Sequence, residues 1–263
     1  MKNFRRDCFI ASLLAMTIFL AACGKSNQEP SPLNPQLSMT QERVSFQTTD
    51  GVTIIGDWTV HSNAKNAALL LHMMPATRVS WAPLVDALNK AGFATLAIDL
   101  RGHGESTKRK LPPPGNTESL DYKNFSDSEH QASRLDIDAA FNFLKQKGFD
   151  ESAIALVGAS VGANLSLDAL YRYNSTSRAV LLSPGLDYRG VKTESPMRQL
   201  GPHQKVWIIA AEGDQYSANS SITLQQLQKQ TGTVTIFGGS DHGTTLFSSQ
   251  PSLIRDIVKF LGP

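Results

Sequence analysis

Beyond residue 23 the 263-residue chain has no cysteine; its two, Cys8 and Cys23, both lie at the N-terminal end. A disulfide framework and a thiolate metal site are thereby excluded from the body. An excess of one charge is also missing. The formal balance is +2, and the lysines and arginines are scattered, so no nucleic-acid partner is implied. The apolar run at residues 8–20 falls short of the about 20 residues that a membrane-spanning helix needs. No internal repeat is present. What remains is an ordinary composition, 41% hydrophobic and 18% charged, at a length suited to one α/β domain with a single sizeable core.

Lys2, Arg5 and Arg6 precede the run at residues 8–20, and the small residues Ala21 and Ala22 follow it. A charged start, a short apolar stretch and a small-residue cleavage zone make a secretory signal. Leu20-Ala21-Ala22-Cys23 resembles the lipobox of bacterial lipoproteins. That resemblance implies cleavage before Cys23 and acylation of its N-terminus and thiol. Three acyl chains, at roughly 0.8 kcal/mol per buried CH₂, would hold the protein on a membrane permanently. Gly24 follows the cysteine in place of Asp, which in lipoproteins implies sorting to the outer membrane of the cell envelope. Residues 23–40, rich in Ser, Asn, Gln and Pro, read as a flexible tether, leaving 41–263 as the folded domain. Removing residues 1–22 removes Lys2, Arg5, Arg6 and Asp7, and with them the whole net charge.

Segments 44–48 and 52–60 have strand composition and flank Asp50-Gly51, a hairpin signal. Then short apolar stretches at 67–71, 94–98, 153–157, 179–182, 206–210 and 234–237 alternate with helical patterns at 78–91, 129–147, 161–173, 217–230 and 249–261. Such alternation predicts a mostly parallel sheet of about eight strands with helices on both faces. Residues 100–128, containing Leu111-Pro112-Pro113-Pro114-Gly115, are expected to form a long loop near the carboxyl edge of the sheet. Residues 183–204 leave little room for a helical lid, so a shallow, open site is expected.

Gly158-Ala159-Ser160-Val161-Gly162 follows one of these strands and opens a helix. In that context a G-x-S-x-G turn lifts a serine hydroxyl above the sheet. The helix N-terminus favours negative charge developing beside it. A serine hydroxyl is a poor nucleophile at neutral pH, so it needs a general base, and the base needs an orienting carboxylate.

Five segments occur in order: Leu71-His72-Met73-Met74-Pro75, Asp99-Leu100-Arg101-Gly102-His103-Gly104-Glu105-Ser106, Gly158-Ala159-Ser160-Val161-Gly162, Glu212-Gly213-Asp214 and Asp241-His242-Gly243. Together they resemble the α/β-hydrolase superfamily, close to its small lid-poor esterases and dienelactone-hydrolase-like members. The resemblance implies an α/β-hydrolase fold, with Ser160 as nucleophile, Asp214 as orienting acid and His242 as general base, in that chain order. Asp187 is the second candidate for the acid, while Glu212 and Asp241 read as structural. It also implies an oxyanion hole built from the backbone N–H groups of Val161 and Met73. The departure from the family pattern is Met73-Met74 after His72, where many relatives carry glycine. The two methionines either wall an acyl group or pack beneath the loop. His61, His130 and His203 read as exposed, and His103 as a loop residue held by glycine turns.

The reaction so implied is acyl transfer to water from a small-molecule acyl substrate, with a carboxylic ester as default. An amide, peptide or thioester is open to the same machinery, and a non-catalytic envelope-binding role is open to the same fold. No metal or organic cofactor is needed.

Overall fold

The computed structural model describes residues 39–227 and 232–262. The chain divides into two units, Met1–Gln36 and Leu37–Pro263, and the second carries the fold. The expected signal, Cys23 and the tether as far as residue 38 lie outside the described residues.

β1 (Met39–Gln47) and β2 (Val52–His61) form the predicted antiparallel pair, with Phe46 opposite Ile54 and Gly51 at φ 85° in the turn. β1 starts two residues inside the segment expected to be tether. There follow β3 (Asn66–Leu71), α1 (Ala82–Lys90), β4 (Phe93–Ile98), β5 (Lys108–Lys110), β6 (Thr117–Ser119), α2 (Asp127–Gln131), α3 (Arg134–Gln146) and β7 (Ile154–Ala159). The remainder is α4 (Val161–Arg172), β8 (Arg178–Leu182), β9 (Asp187–Tyr188), β10 (Val191–Lys192), α5 (Glu194–Gln199), β11 (Lys205–Ala211), α6 (Gln215–Leu227), β12 (Gly232–Phe237), α7 (Leu246–Ser249) and α8 (Ser252–Leu261).

The main sheet runs β12-β11-β8-β7-β3-β4-β2-β5-β6, with β1 also paired to β2. β3, β4, β7, β8, β11 and β12 are parallel, and β2 lies antiparallel to β4. Ten strands stand where about eight were expected. The difference is the short hairpin β5–β6, which extends the sheet beside β2 from within the connection expected to be a loop. The pattern missed it because Lys108-Arg109-Lys110 is charged throughout and carries no alternation. The helix expected over 249–261 is split, since Pro251 forces Gln250 out of helical geometry (φ −127°, ψ 68°) before α8 starts.

The central strands are apolar on both faces because both are covered. Leu69 and Leu71 pack with Phe141, Leu165 and Leu224 of α3, α4 and α6. Ala68 and Leu70 pack with Leu84, Leu88 and Ile257 of α1 and α8 on the other side. The chain leaves β3 for β4 on one side and returns to β7 on the other. That reversal of strand order opens a crevice at the carboxyl ends of β3 and β7, where open α/β sheets bind ligands.

The segment 99–106 is a buried polar knot beside that crevice. Asp99 is fully buried and accepts hydrogen bonds from the Arg78 N–H (2.8 Å), the Arg78 guanidinium (2.5 Å) and the Glu105 N–H (2.9 Å). Arg101, also fully buried, donates to Asp136 (2.9 Å) and Asp50 (2.8 Å). Among the described residues no helix is long and apolar enough to cross a membrane.

Candidate active site

β7 ends at Ala159 and α4 begins at Val161, so Ser160 alone makes the turn, at φ 54° and ψ −119°. A non-glycine residue at positive φ is costly, on the order of 1–3 kcal/mol, and persists only where surrounding structure enforces it. Here the Ser160 N–H donates to Leu182 O (2.8 Å), while its carbonyl accepts from Ala163 N (2.9 Å). Both flanking glycines are required by space. A Cβ on Gly158 would lie 2.1 Å from Gly162 O, and one on Gly162 would lie 2.2 Å from Leu71 O. The second contact also seats the start of α4 on the end of β3, next to His72 and Met73. As the first residue of α4, Val161 has an N–H without a helical acceptor.

His242 and Asp214 follow β12 and β11. Nδ1 of His242 lies 2.6 Å from Asp214 Oδ2. A carboxylate only accepts, so Nδ1 carries a proton, and in the neutral imidazole that leaves the lone pair on Nε2. Of the other acids weighed for this position, Asp187 stands exposed at the start of β9, accepting from Gly190 N (2.7 Å). The histidine loop is tied down at both sides. Thr245 Oγ1 accepts from His242 N (2.9 Å), and Gly243 N donates to Ser183 Oγ (2.9 Å). A Cβ on Gly243 would lie 3.2 Å from the Ala159 Cβ, so the residues after His242 and before Ser160 are in contact.

Two methionines follow His72, and they do different things. A Cβ on Gly243 would lie 2.5 Å from Met73 Sδ, so Met73 packs against the histidine loop. Met74 lines a cavity of about 370 Å³. The Met73 backbone is set by His72, which is fully buried. Leu100 N donates to His72 Nε2 (3.0 Å), so the proton sits on Nδ1 and is donated to Met73 O (2.8 Å). Burial holds this imidazole down at about 4, against an ordinary value of 6.5. Next to it His103 is 3% exposed, stacked on Tyr122 (3.9 Å) and edge-on to His72 (4.9 Å). Its imidazole is likewise lowered to about 4, by burial first and the neighbouring His72 second. His103 is thus a core residue supporting the Met73 loop. His130 is not exposed as expected but buried, with Phe125 edge-on to it at 5.4 Å.

A profile of the alpha/beta hydrolase fold matches residues 67–207. The chain belongs to the α/β-hydrolase family. Solved structures of the same fold include the Pyrococcus furiosus esterase Pf2001, 17% identical with a TM-score of 0.66, covering 85% of this chain and 92% of that one. An acetyl xylan esterase from Paenibacillus sp. R4 is 16% identical with a TM-score of 0.66, covering 88% and 86% respectively. A dienelactone hydrolase from Anabaena variabilis is 16% identical with a TM-score of 0.58, covering 84% and 94%. No curated protein matches the sequence.

This α/β-hydrolase carries three further residues at the site that sequence reasoning passed over. Through its hydroxyl Tyr188 lies 3.0 Å from Ser217 Oγ, and its ring is edge-on to the His242 ring at 6.4 Å. Burial, and then the Asp214 charge, raise its phenol, while the hydrogen bond to Ser217 and the neighbouring Ser160 hydroxyl act the other way. Tyr188 therefore stays a protonated donor. It stands on the hairpin β9–β10, which Asn164 of α4 grips at both ends: Asn164 Nδ2 donates to Val191 O (2.7 Å) and Oδ1 accepts from Gly185 N (3.0 Å). Ser183, buried at φ 51°, links the end of β8 to the histidine loop. The only sequence signal was Asn164 itself, a polar residue four positions after Ser160 on a helix that is otherwise buried along most of its length. A larger cavity, about 470 Å³, lies between β2 and α1 and touches none of these residues.

Proposed function

We propose that this α/β-hydrolase cleaves a carboxylic ester through an acyl-enzyme on Ser160. The observation that carries the reading is the 2.6 Å contact of Asp214 on His242, whose loop packs against the strained turn bearing Ser160. With Nδ1 committed to Asp214, the Nε2 lone pair is the base that takes the Ser160 proton as Oγ attacks the carbonyl carbon. Negative charge on the carbonyl oxygen is met by the Val161 and Met73 N–H groups. The tetrahedral intermediate collapses as His242 returns the proton to the departing alcohol. Water, deprotonated by the same imidazole, then releases the acid and restores Ser160. Similarity in fold to two proteins described as esterases supports the choice of an ester over other acyl compounds.

The test is labelling and turnover of the purified protein with a fluorophosphonate and a short-chain aryl ester. Ser160→Ala should abolish labelling and lower kcat on the order of 10⁴-fold or more. Equal labelling of wild type and Ser160→Ala would overturn the reading.

A lipid anchor at Cys23 is proposed on the sequence Leu20-Ala21-Ala22-Cys23. Cys23→Ser should move the protein from the membrane to the soluble fraction of the envelope; unchanged retention refutes the anchor.

A further inference from the structure

The cavity of about 370 Å³ adjoins the candidate active site by chain connection on two sides. Met74 and Pro75 on its wall follow Met73, and Arg189 at its mouth follows Tyr188. Tyr122 and Phe125 give it an aromatic wall, and Lys123 stands between them in sequence. No carboxylate lines it.

Its two cations are uncommitted. Most arginines of the described structure are in ion pairs, for example Arg78, Arg101, Arg109 and Arg172. Arg189 and Lys123 have no side-chain hydrogen bond or ion pair among the described residues. None of the nearby acids among the described residues forms an ion pair with either cation: Asp187 accepts from Gly190 N, Asp121 from Lys123 N, Glu129 pairs with Arg101 and Arg109, and the charge of Asp127 acts on His130. The Arg189 charge acts on buried His130, whose imidazole is lowered by burial and then by that arginine, with Asp127 and Glu129 acting the other way.

Arg189 is also held in an unfavourable conformation. At φ 55° it precedes Gly190 at φ 77° in the two-residue turn of the β9–β10 hairpin, a position that suits asparagine or glycine. Gly190 lies against the end of the Gln131 side chain, where a Cβ would stand 2.3 Å from its Nε2. A strained arginine without a protein hydrogen-bond or ion-pair partner among the described residues, lining a cavity of mixed polar and aromatic character one residue along the chain from Tyr188, has the character of a ligand-binding group.

We propose that this cavity is the specificity pocket of the reaction and that the substrate is an ester carrying an anionic group, received by Arg189 and Lys123. The inference rests on the esterase reading. Tyr122, Phe125 and Met74 would cover the apolar part of the substrate and the two cations its charged end. Either the acyl or the alcohol portion can carry that charge, and the test separates them.

Purified protein is assayed with two matched pairs: para-nitrophenyl hexanoate against mono(para-nitrophenyl) adipate, and methyl para-acetoxybenzoate against para-acetoxybenzoate. One anionic ester should exceed its neutral partner in kcat/KM by about tenfold, through KM, with the advantage shrinking as salt is added. The pair that responds identifies the portion carrying the charge. Arg189→Asn keeps a residue that tolerates the left-handed turn, and Lys123→Gln lies on an exposed loop. Together they should bring the anionic-to-neutral ratio down by about tenfold. A ratio at or below one in both pairs, or one that the double variant leaves unchanged, overturns the anionic pocket and leaves the esterase reading standing. Hydrolysis of none of the four esters overturns both.

Discussion

Acidification should unfold this protein through two buried histidines, before most carboxylates titrate. His72 and His103 are held neutral, each at about 4 in the fold against about 6.5 in an open chain. Between those values the unfolded chain binds protons that the native state refuses. The contribution of these two imidazoles is therefore complete above about pH 6.5 and lost as pH falls towards 4, while Asp136, raised to about 7 by burial, works in the opposite direction over the same interval. For one imidazole the full difference is worth about 3 kcal/mol, with a steepest slope of about 1.4 kcal/mol per pH unit. The two contributions are not independent, because the rings lie 4.9 Å apart and each opposes charging of the other. Set against a typical total of about 5–15 kcal/mol, the loss is large. Urea unfolding at a series of pH values between 7 and 4 measures it directly. His103→Phe retains the stack on Tyr122 and removes the titrating group, so its stability should fall less steeply over the same interval. His72→Gln should behave alike. If wild type and both variants lose stability in parallel, the buried histidines are not its cause.

Asp214→Asn should lower kcat on the order of 10³–10⁴-fold while the melting temperature stays near that of wild type, since the amide cannot hold His242 in the required tautomer; kinetics and calorimetry together check this. Ser183→Ala removes the acceptor for the buried Gly243 N–H, and should cost about 1–3 kcal/mol in urea unfolding and lower kcat more than it raises KM. Asp136→Ala leaves the buried Arg101 with its fully buried partner gone and should cost about 3–5 kcal/mol, read by the same unfolding assay.

Much of the scaffold was legible because its signals are local. Apolar stretches such as 67–71 are strands buried on two faces, and Pro and Gly punctuate their ends. The serine turn was legible because Gly158 and Gly162 are demanded by backbone contacts that no other residue survives. The roles of His72 and His103 were not, since nothing in a sequence says that a loop histidine is buried; that depends on Tyr122, brought in from a separate segment. Hairpin β9–β10 was illegible for a different reason. Two-residue strands carry no period, and the turn Arg189-Gly190 lacks the asparagine that marks such turns. Residues 183–204 were expected to leave the site open, and among the described residues no large lid is present, yet they bring Tyr188 edge-on to His242.

The grip of Asn164 on that hairpin has a consequence for how such a protein can change. One amide, on the helix that starts at Ser160, holds both ends of the loop that presents Tyr188 and Arg189. The loop between those two hydrogen bonds is a cassette. Its turn residues can be exchanged, lengthened or recharged while the frame that receives it keeps its registration with Ser160. A lineage or a laboratory could retune which molecule is accepted by rewriting the codon of Arg189, leaving Tyr188, the candidate site and the core untouched.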